Sequence, residues 1–312
     1  MSLRTFLKFV EIQTKVASLF PFLVGLLFVI YRFDAFNPIN TIIFFFAMLI
    51  FDLTTTAINN YIDYKKATTD EYRKRENIIG QDNIPIGLAK FTIIAMLLTA
   101  MGLGIWLVVH TDLLVLLIGI FCFIIGIFYT YGPVPISRIP LGEVFSGVTM
   151  GFGILFLTVY VNAFDLGIAN LFVDGRTISI QADLLLLGEI LLVSLPCIFT
   201  IANIMLANNI CDLEDDIRNN RFTLPYYLGR KKAVTLYNIL YAASFIAILA
   251  AVILNILPII LLLSLLIILP VYKHIMLFNK KQIKSETFPL AIKNLVLVNG
   301  SIIAMMVVSI IV

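Results

Sequence analysis

Residues 59–63 read Asn-Asn-Tyr-Ile-Asp and residues 208–212 read Asn-Asn-Ile-Cys-Asp, so one Asn-Asn-x-x-Asp pattern occurs twice, 149 positions apart. Asn59 and Asp63 are four residues apart, as are Asn208 and Asp212, and Asp212 and Asp216. On a helix each set stacks on one face. Like charges at that spacing repel, so a helix end that gathers Asp212, Glu214, Asp215 and Asp216 calls for a cation to hold it together. Hard oxygen donors select Mg2+, which keeps waters and shares its shell with phosphate oxygens, so the pattern implies a phosphorylated or diphosphorylated ligand. Lys65, Lys66, Arg73, Arg138, Arg218 and Arg221 supply positive charge for such a group. Asp and Asn at a helix end are ordinarily a solvated boundary, but that reading gives no reason for asparagine to recur inside two apolar segments.

The elements that must position these residues are membrane spans. Of 312 residues 61% are hydrophobic and 13% charged, far outside the range of a water-soluble chain. Nine apolar blocks follow one another, at about 9–31, 39–60, 87–109, 112–130, 143–162, 184–209, 233–254, 256–272 and 289–312. Each is long enough for a helix to cross roughly 30 Å of hydrocarbon. The expected fold is all-α and polytopic, with the first block kept as a span and Pro258 starting the eighth helix. A large soluble catalytic domain is excluded, and the net charge of +3 gives no reason to expect nucleic acid. Cys122, Cys197 and Cys211 have no metal or redox spacing and read as structural.

Nine spans place both motifs at one face. Only Arg32 and Arg176 of the 22 Lys and Arg fall on the other side, which makes the motif face and the N-terminus cytoplasmic and the C-terminus external. The duplicated motif reads as an internal repeat four helices long, so residues 1–312 form one domain: two four-helix repeats, with motifs at 59–70 and 208–221, and a ninth helix. Glu189, inside the sixth block and remote from the motifs, reads as a structural partner; His110, His274 and Trp106 read as surface or interface residues.

Asn59-Asn60-x-x-Asp63 followed by Tyr-Lys-Lys, and Asn208-Asn209-x-x-Asp212-x-x-x-Asp216 with Arg218, Arg221 and Leu228-Gly229-Arg230 behind it, resemble the two aspartate-rich motifs of UbiA-type intramembrane prenyltransferases. Tyr129-Thr-Tyr-Gly-Pro-Val-Pro, Leu141-Gly142-Glu143 and Glu11-Ile-x-Thr-Lys-Val-Ala-Ser are similar to the subgroup that prenylates 1,4-dihydroxy-2-naphthoate for menaquinone. The resemblance implies nine helices around a central cavity, cytoplasmic cap loops and a side opening to lipid. It also implies Mg2+-dependent transfer of a polyprenyl group from an isoprenyl diphosphate to an aromatic carbon, here giving demethylmenaquinone with loss of carbon dioxide. Asp63, Asp212, Asp216, Asn59 and Asn208 would be both catalytic and metal-binding. Ala67 stands where other branches carry a carboxylate, and Asp70 is the candidate to complete the first metal set.

Lys66, Arg73, Arg138, Arg218, Asn60 and Tyr129 would meet the substrates, with Tyr131 and Tyr129 offering an aromatic face to the allylic cation. The partners are therefore the isoprenyl diphosphate, the aromatic acceptor and the bilayer, with no nucleic acid and no obligate protein partner. Relatives that use 4-hydroxybenzoate or haem share the same motifs. A secondary transporter is the alternative from another class; it would spread polar residues towards both faces, whereas here they collect at one.

Overall fold

The computed structural model describes residues 1–67, 73, 77–132 and 135–312. Among these, nine helices are long and apolar enough to cross a membrane: Ile12–Phe33, Pro38–Lys66, Ile86–His110, Leu113–Thr130, Gly142–Leu166, Leu184–Cys211, Arg230–Ile253, Ile259–Lys280 and Phe288–Ile311. A helix satisfies the backbone donors and acceptors of its interior within itself and leaves only its ends to reach the polar faces, which makes it the element these apolar runs can form in lipid. The chain is a multi-pass membrane protein. Its fold divides into two compact units, one of Met1–Ser18 with Pro38–Pro135 and one of Leu19–Asn37 with Ile136–Val312.

In the first unit the second span, Pro38–Lys66, has two working faces. Leu53 and Ala57 join Phe9, Val10, Ile79, Ile84 and Ala89 in a buried cluster, with Tyr61 and Tyr64 packed against it. Asp52, Thr56, Asn59 and Asp63 follow one another at helical spacing on a neighbouring face. The buried Lys15 donates to Asp52 Oδ1 at 2.9 Å and to Thr56 Oγ1 at 2.6 Å, while Ser18 Oγ donates to Asp52 Oδ2 at 2.7 Å. Asp52 lies eleven residues before Asp63, about 16 Å along the helix.

In the second unit the fifth span is drawn against the sixth by small residues. A Cβ on Gly151 would stand 2.6 Å from the Ile198 backbone, and one on Gly147 would stand 2.8 Å from Ile198 O. This Gly-x-x-x-Gly approach lies in a π-helical stretch, Gly147–Gly153. Amides then tie the sixth span to its neighbours: Asn203 Nδ2 donates to Tyr237 O at 3.0 Å and Asn299 Nδ2 to Thr200 Oγ1 at 2.9 Å. All three cysteines are free, and Cys197 is buried beside Asn299.

Two features depart from the expected layout or add to it, and a third agrees with it. The 163–183 connection contains a hairpin, β1 (Ala169–Asp174) antiparallel to β2 (Thr177–Ala182), turning through Gly175 at φ 55° and Arg176. The eighth span opens after Pro258 with a 3-10 stretch, Ile259–Ile267, and becomes α-helical only at Ile268–Lys280. Glu189 takes a two-pronged ion pair from Arg32, at 2.8 and 3.0 Å, which meets the expectation that it serves structure.

Candidate metal and diphosphate site

The second motif sits where the sixth span runs out. The helix Leu184–Cys211 ends at Asp212, and a short helix, Leu213–Arg218, follows. The hydrogen-bond ladder nevertheless continues, from Asp212 N to Asn208 O at 3.0 Å and from Asp216 N to Asp212 O at 2.8 Å. Asn208, Asp212 and Asp216 therefore keep the common face that their spacing implies. Burial separates the four acidic side chains: those of Glu214 and Asp215 are 78% and 76% exposed, and those of Asp212 and Asp216 are 29% and 7% exposed.

Each of these carboxylates has a basic partner. Asp216 pairs with Arg221 at 3.3 Å, Asp215 with Arg218 at 3.5 Å, Glu214 with Arg230 at 3.1 Å, and Asp212 with Lys284. The repulsion expected from sequence is thus already offset by side chains. The geometry still suits a hard cation. The Lys284 ammonium is held by both Asn208 Oδ1 and Asp212 Oδ2, so an amide oxygen and a carboxylate oxygen converge on one positive charge. Asp216 Oδ2 is buried without a hydrogen-bond partner among the described residues. Burial pushes the Asp216 carboxyl above the ordinary carboxylate range, and Arg221 pulls it back. Among the described residues no three His, Cys, Asp or Glu gather closely enough to hold a metal by themselves. An amide and two carboxylates fit Mg2+ all the same, because that ion leaves much of its octahedral shell to water and substrate oxygens.

The second asparagine of each motif does something different from the first. Asn209 Nδ2 donates to Glu143 Oε1 at 2.8 Å, and Glu143 Oε2 is buried without a hydrogen-bond partner among the described residues. In the first unit Asn60 Nδ2 donates to Glu11 Oε1 at 3.1 Å and to Phe9 O at 3.0 Å. Glu11 immediately precedes the first span and Glu143 is the second residue of the fifth. Sequence reasoning placed Asn60 among the substrate-binding residues and gave neither glutamate a role. The signal for a tether was their like placement at the starts of the first and fifth spans.

The other expected residues fall as follows. Asn59 and Asp63 are half-buried in the second span, four residues apart on its polar face, and Lys66 is exposed in its last turn. Arg73 donates to Ala67 O at 2.9 Å and lies 6.0 Å from the Tyr64 ring centroid, which closes the polar end of that span on itself. Asp70 lies outside the described residues. Tyr129 is half-buried at the end of the fourth span and Tyr131, just beyond it, is 55% exposed. Phe222 N donates to Arg138 O at 3.0 Å, which docks the segment trailing the second motif against Ile136–Arg138. Arg218 is exposed beside Asp215. Lys284 was missed by sequence reasoning, because it lies 72 residues beyond Asp212 in a different loop.

The profile of the UbiA prenyltransferase family matches residues 18–295. A 1,4-dihydroxy-2-naphthoate octaprenyltransferase of Bacillus subtilis (strain 168) is 29% identical, over 77% of this chain and 71% of the relative. Two solved structures share the fold. A UbiA homologue from Aeropyrum pernix K1 superposes with a TM-score of 0.67 at 20% identity, covering 94% of this chain and 98% of that one. A UbiA homologue from Archaeoglobus fulgidus bound to GPP and Mg2+ superposes with a TM-score of 0.63 at 14% identity, covering 99% and 100%. With a family profile that spans most of the chain, and with nine membrane-length helices among the described residues, the second and sixth of which end in the paired motifs, this protein belongs to the UbiA prenyltransferase family and is a prenyltransferase.

Proposed function

We propose that this prenyltransferase moves a polyprenyl group from an isoprenyl diphosphate to 1,4-dihydroxy-2-naphthoate, with Mg2+ as its cofactor. The observation that carries the metal and diphosphate reading is the ladder Asn208, Asp212, Asp216, two of whose oxygens already converge on a cation. The acceptor reading is supported by the likeness to the Bacillus subtilis enzyme. On the same reading Asn59, Asp63 and Asp70 form the first metal set, while Asn60 and Asn209 anchor the two motifs. The matching amide-to-glutamate bonds of Asn60 and Asn209 support two four-helix repeats followed by a ninth helix.

In the reaction the allylic C–O bond breaks and its electron pair leaves with the diphosphate. Mg2+, when bound, neutralises the charge that builds on that leaving group. The chain's own part is to fix the oxygen donors on rigid helix ends, to place Arg138, Arg218 and Arg73 as counter-charge, and to keep water from the cation left behind. Tyr129 and Tyr131 present aromatic faces to that positive charge. The ring carbon bearing the carboxylate forms the new C–C bond. Loss of carbon dioxide then returns the C–C electron pair to the ring, so the immediate product is the hydroquinone form of demethylmenaquinone and no oxidant is consumed.

The test is to supply purified protein with Mg2+, a polyprenyl diphosphate and, in parallel, 1,4-dihydroxy-2-naphthoate, 4-hydroxybenzoate and haem, and to identify products by mass. The naphthoate should be prenylated and decarboxylated, and chelation of the metal should stop the reaction. Prenylation of 4-hydroxybenzoate or haem, with the naphthoate inert, would overturn the acceptor assignment.

A further inference from the structure

Lys284 stands in the short connection between the eighth and ninth spans, and its ammonium contacts Asn208 Oδ1 and Asp212 Oδ2 together. The other basic partners of the motif, Arg221, Arg218 and Arg230, pair with Asp216, Asp215 and Glu214. Lys284 therefore differs from them in bridging two successive members of the ladder. Its position is also built in from behind. Thr287 is buried and closes the segment on itself, accepting from Ile283 N at 2.9 Å and donating to Ile283 O at 3.1 Å. The Phe288 ring centroid lies 5.0 Å from Lys284 Nζ. The acid of the same segment, Glu286, is engaged by Lys281 at 3.5 Å, so the carboxylate that Lys284 meets is that of the motif.

An ammonium and a hard divalent cation ask for the same thing, oxygen lone pairs carrying negative charge, and two cations cannot share one pair of oxygens without repelling each other. We propose that Lys284 competes with the metal for Asn208 and Asp212 and so sets how tightly the free protein binds a divalent cation. This rests on reading Asn208 and Asp212 as metal ligands. Its consequence is an enzyme that binds metal weakly on its own and firmly only with a diphosphate, whose oxygens satisfy the metal and the displaced ammonium together. Metal is then not held idle at the membrane face.

The experiment is a Mn2+ titration, read by loss of the free-ion electron paramagnetic resonance signal, on the full chain in nanodiscs without diphosphate. Lys284→Met should bind Mn2+ about two- to fivefold more tightly than the unaltered protein, as expected for removing a competing partner that is half exposed. Lys284→Arg, which keeps the charge, should stay near the unaltered affinity. Asp212→Asn should bind much more weakly. If Lys284→Met binds Mn2+ no more tightly while Asp212→Asn loses binding, competition is refuted and the metal reading survives. If Asp212→Asn binds as well as the unaltered protein, both fall.

Discussion

Glu214 and Asp215 are acidic, close to the motif and paired with arginines, yet they are more than three-quarters exposed, whereas Asp216 is 7% exposed. Exposed pairs of that kind contribute about 0–1 kcal/mol, and their charges act through water. Buried charges aimed at one place are stronger by the ratio of the dielectrics. The expectation is that Asp212→Asn and Asp216→Asn each lower turnover by about a hundredfold or more, roughly 3 kcal/mol at the transition state. Glu214→Gln and Asp215→Asn should stay close to the unaltered rate. Initial rates at saturating Mg2+ decide it, and equal losses across all four would dissolve the distinction. A second expectation concerns the tether. Glu143→Gln keeps an acceptor for Asn209 Nδ2 and should leave the Mg2+ requirement nearly unchanged, while Glu143→Ala leaves that donor unpaired and should raise it severalfold, at about 1–3 kcal/mol for a stranded buried amide. An equal rise in the Mg2+ requirement in both variants would point to the charge and not the bond. The shared face of Asn208, Asp212 and Asp216 was legible in sequence because local helical spacing links them. Lys284 and the Glu143 bond were not, since they depend on which distant segments the fold brings together.

At the level of the element, the second span carries a buried ion pair that a count of apolar residues hides. The side chains of Lys15 and Asp52 are only 7% and 16% exposed, and Thr56 and Ser18 complete their hydrogen bonds. Removing one partner of such a pair leaves an uncompensated charge, worth about 3–5 kcal/mol, while replacing both by apolar residues is often neutral. Lys15→Met should therefore sharply lower the midpoint of thermal unfolding in detergent, and Lys15→Met combined with Asp52→Leu should recover most of the loss. A single mutant as stable as the unaltered protein would mean that the pair contributes nothing to the first unit. Helix identity and order were legible because twenty-residue apolar runs have few other ways to satisfy their backbone in lipid. The hairpin was not read, although Asp174-Gly175 between alternating residues is a known turn signal. The π-helical stretch at Gly147–Gly153 was hidden too, because it answers to contact with Ile198 and not to any local propensity.

For the whole molecule the open physical variable is which way it faces, and the distribution of positive charge gives the expectation. If both motifs face the cytoplasm, twenty of the 22 Lys and Arg lie on that side, and Arg32 and Arg176 alone lie opposite. Arg32 is already matched by Glu189, so it adds little free positive charge to its side. Translocating the clustered basic residues of the connections between the second and third or the sixth and seventh spans would work against the rule that such charge stays inside. The hairpin between β1 and β2 should then be external and the Lys284 segment internal. Replacing Cys122, Cys197 and Cys211 by serine or alanine and adding one cysteine at Ser179 or Ser285, both exposed, makes the test clean. A membrane-impermeant maleimide applied to intact cells should label Ser179→Cys at once and Ser285→Cys only after the membrane is opened. The opposite pattern would invert the molecule and set the Asn-Asn-x-x-Asp motifs outside, where a cytoplasmic supply of diphosphate and acceptor does not reach them.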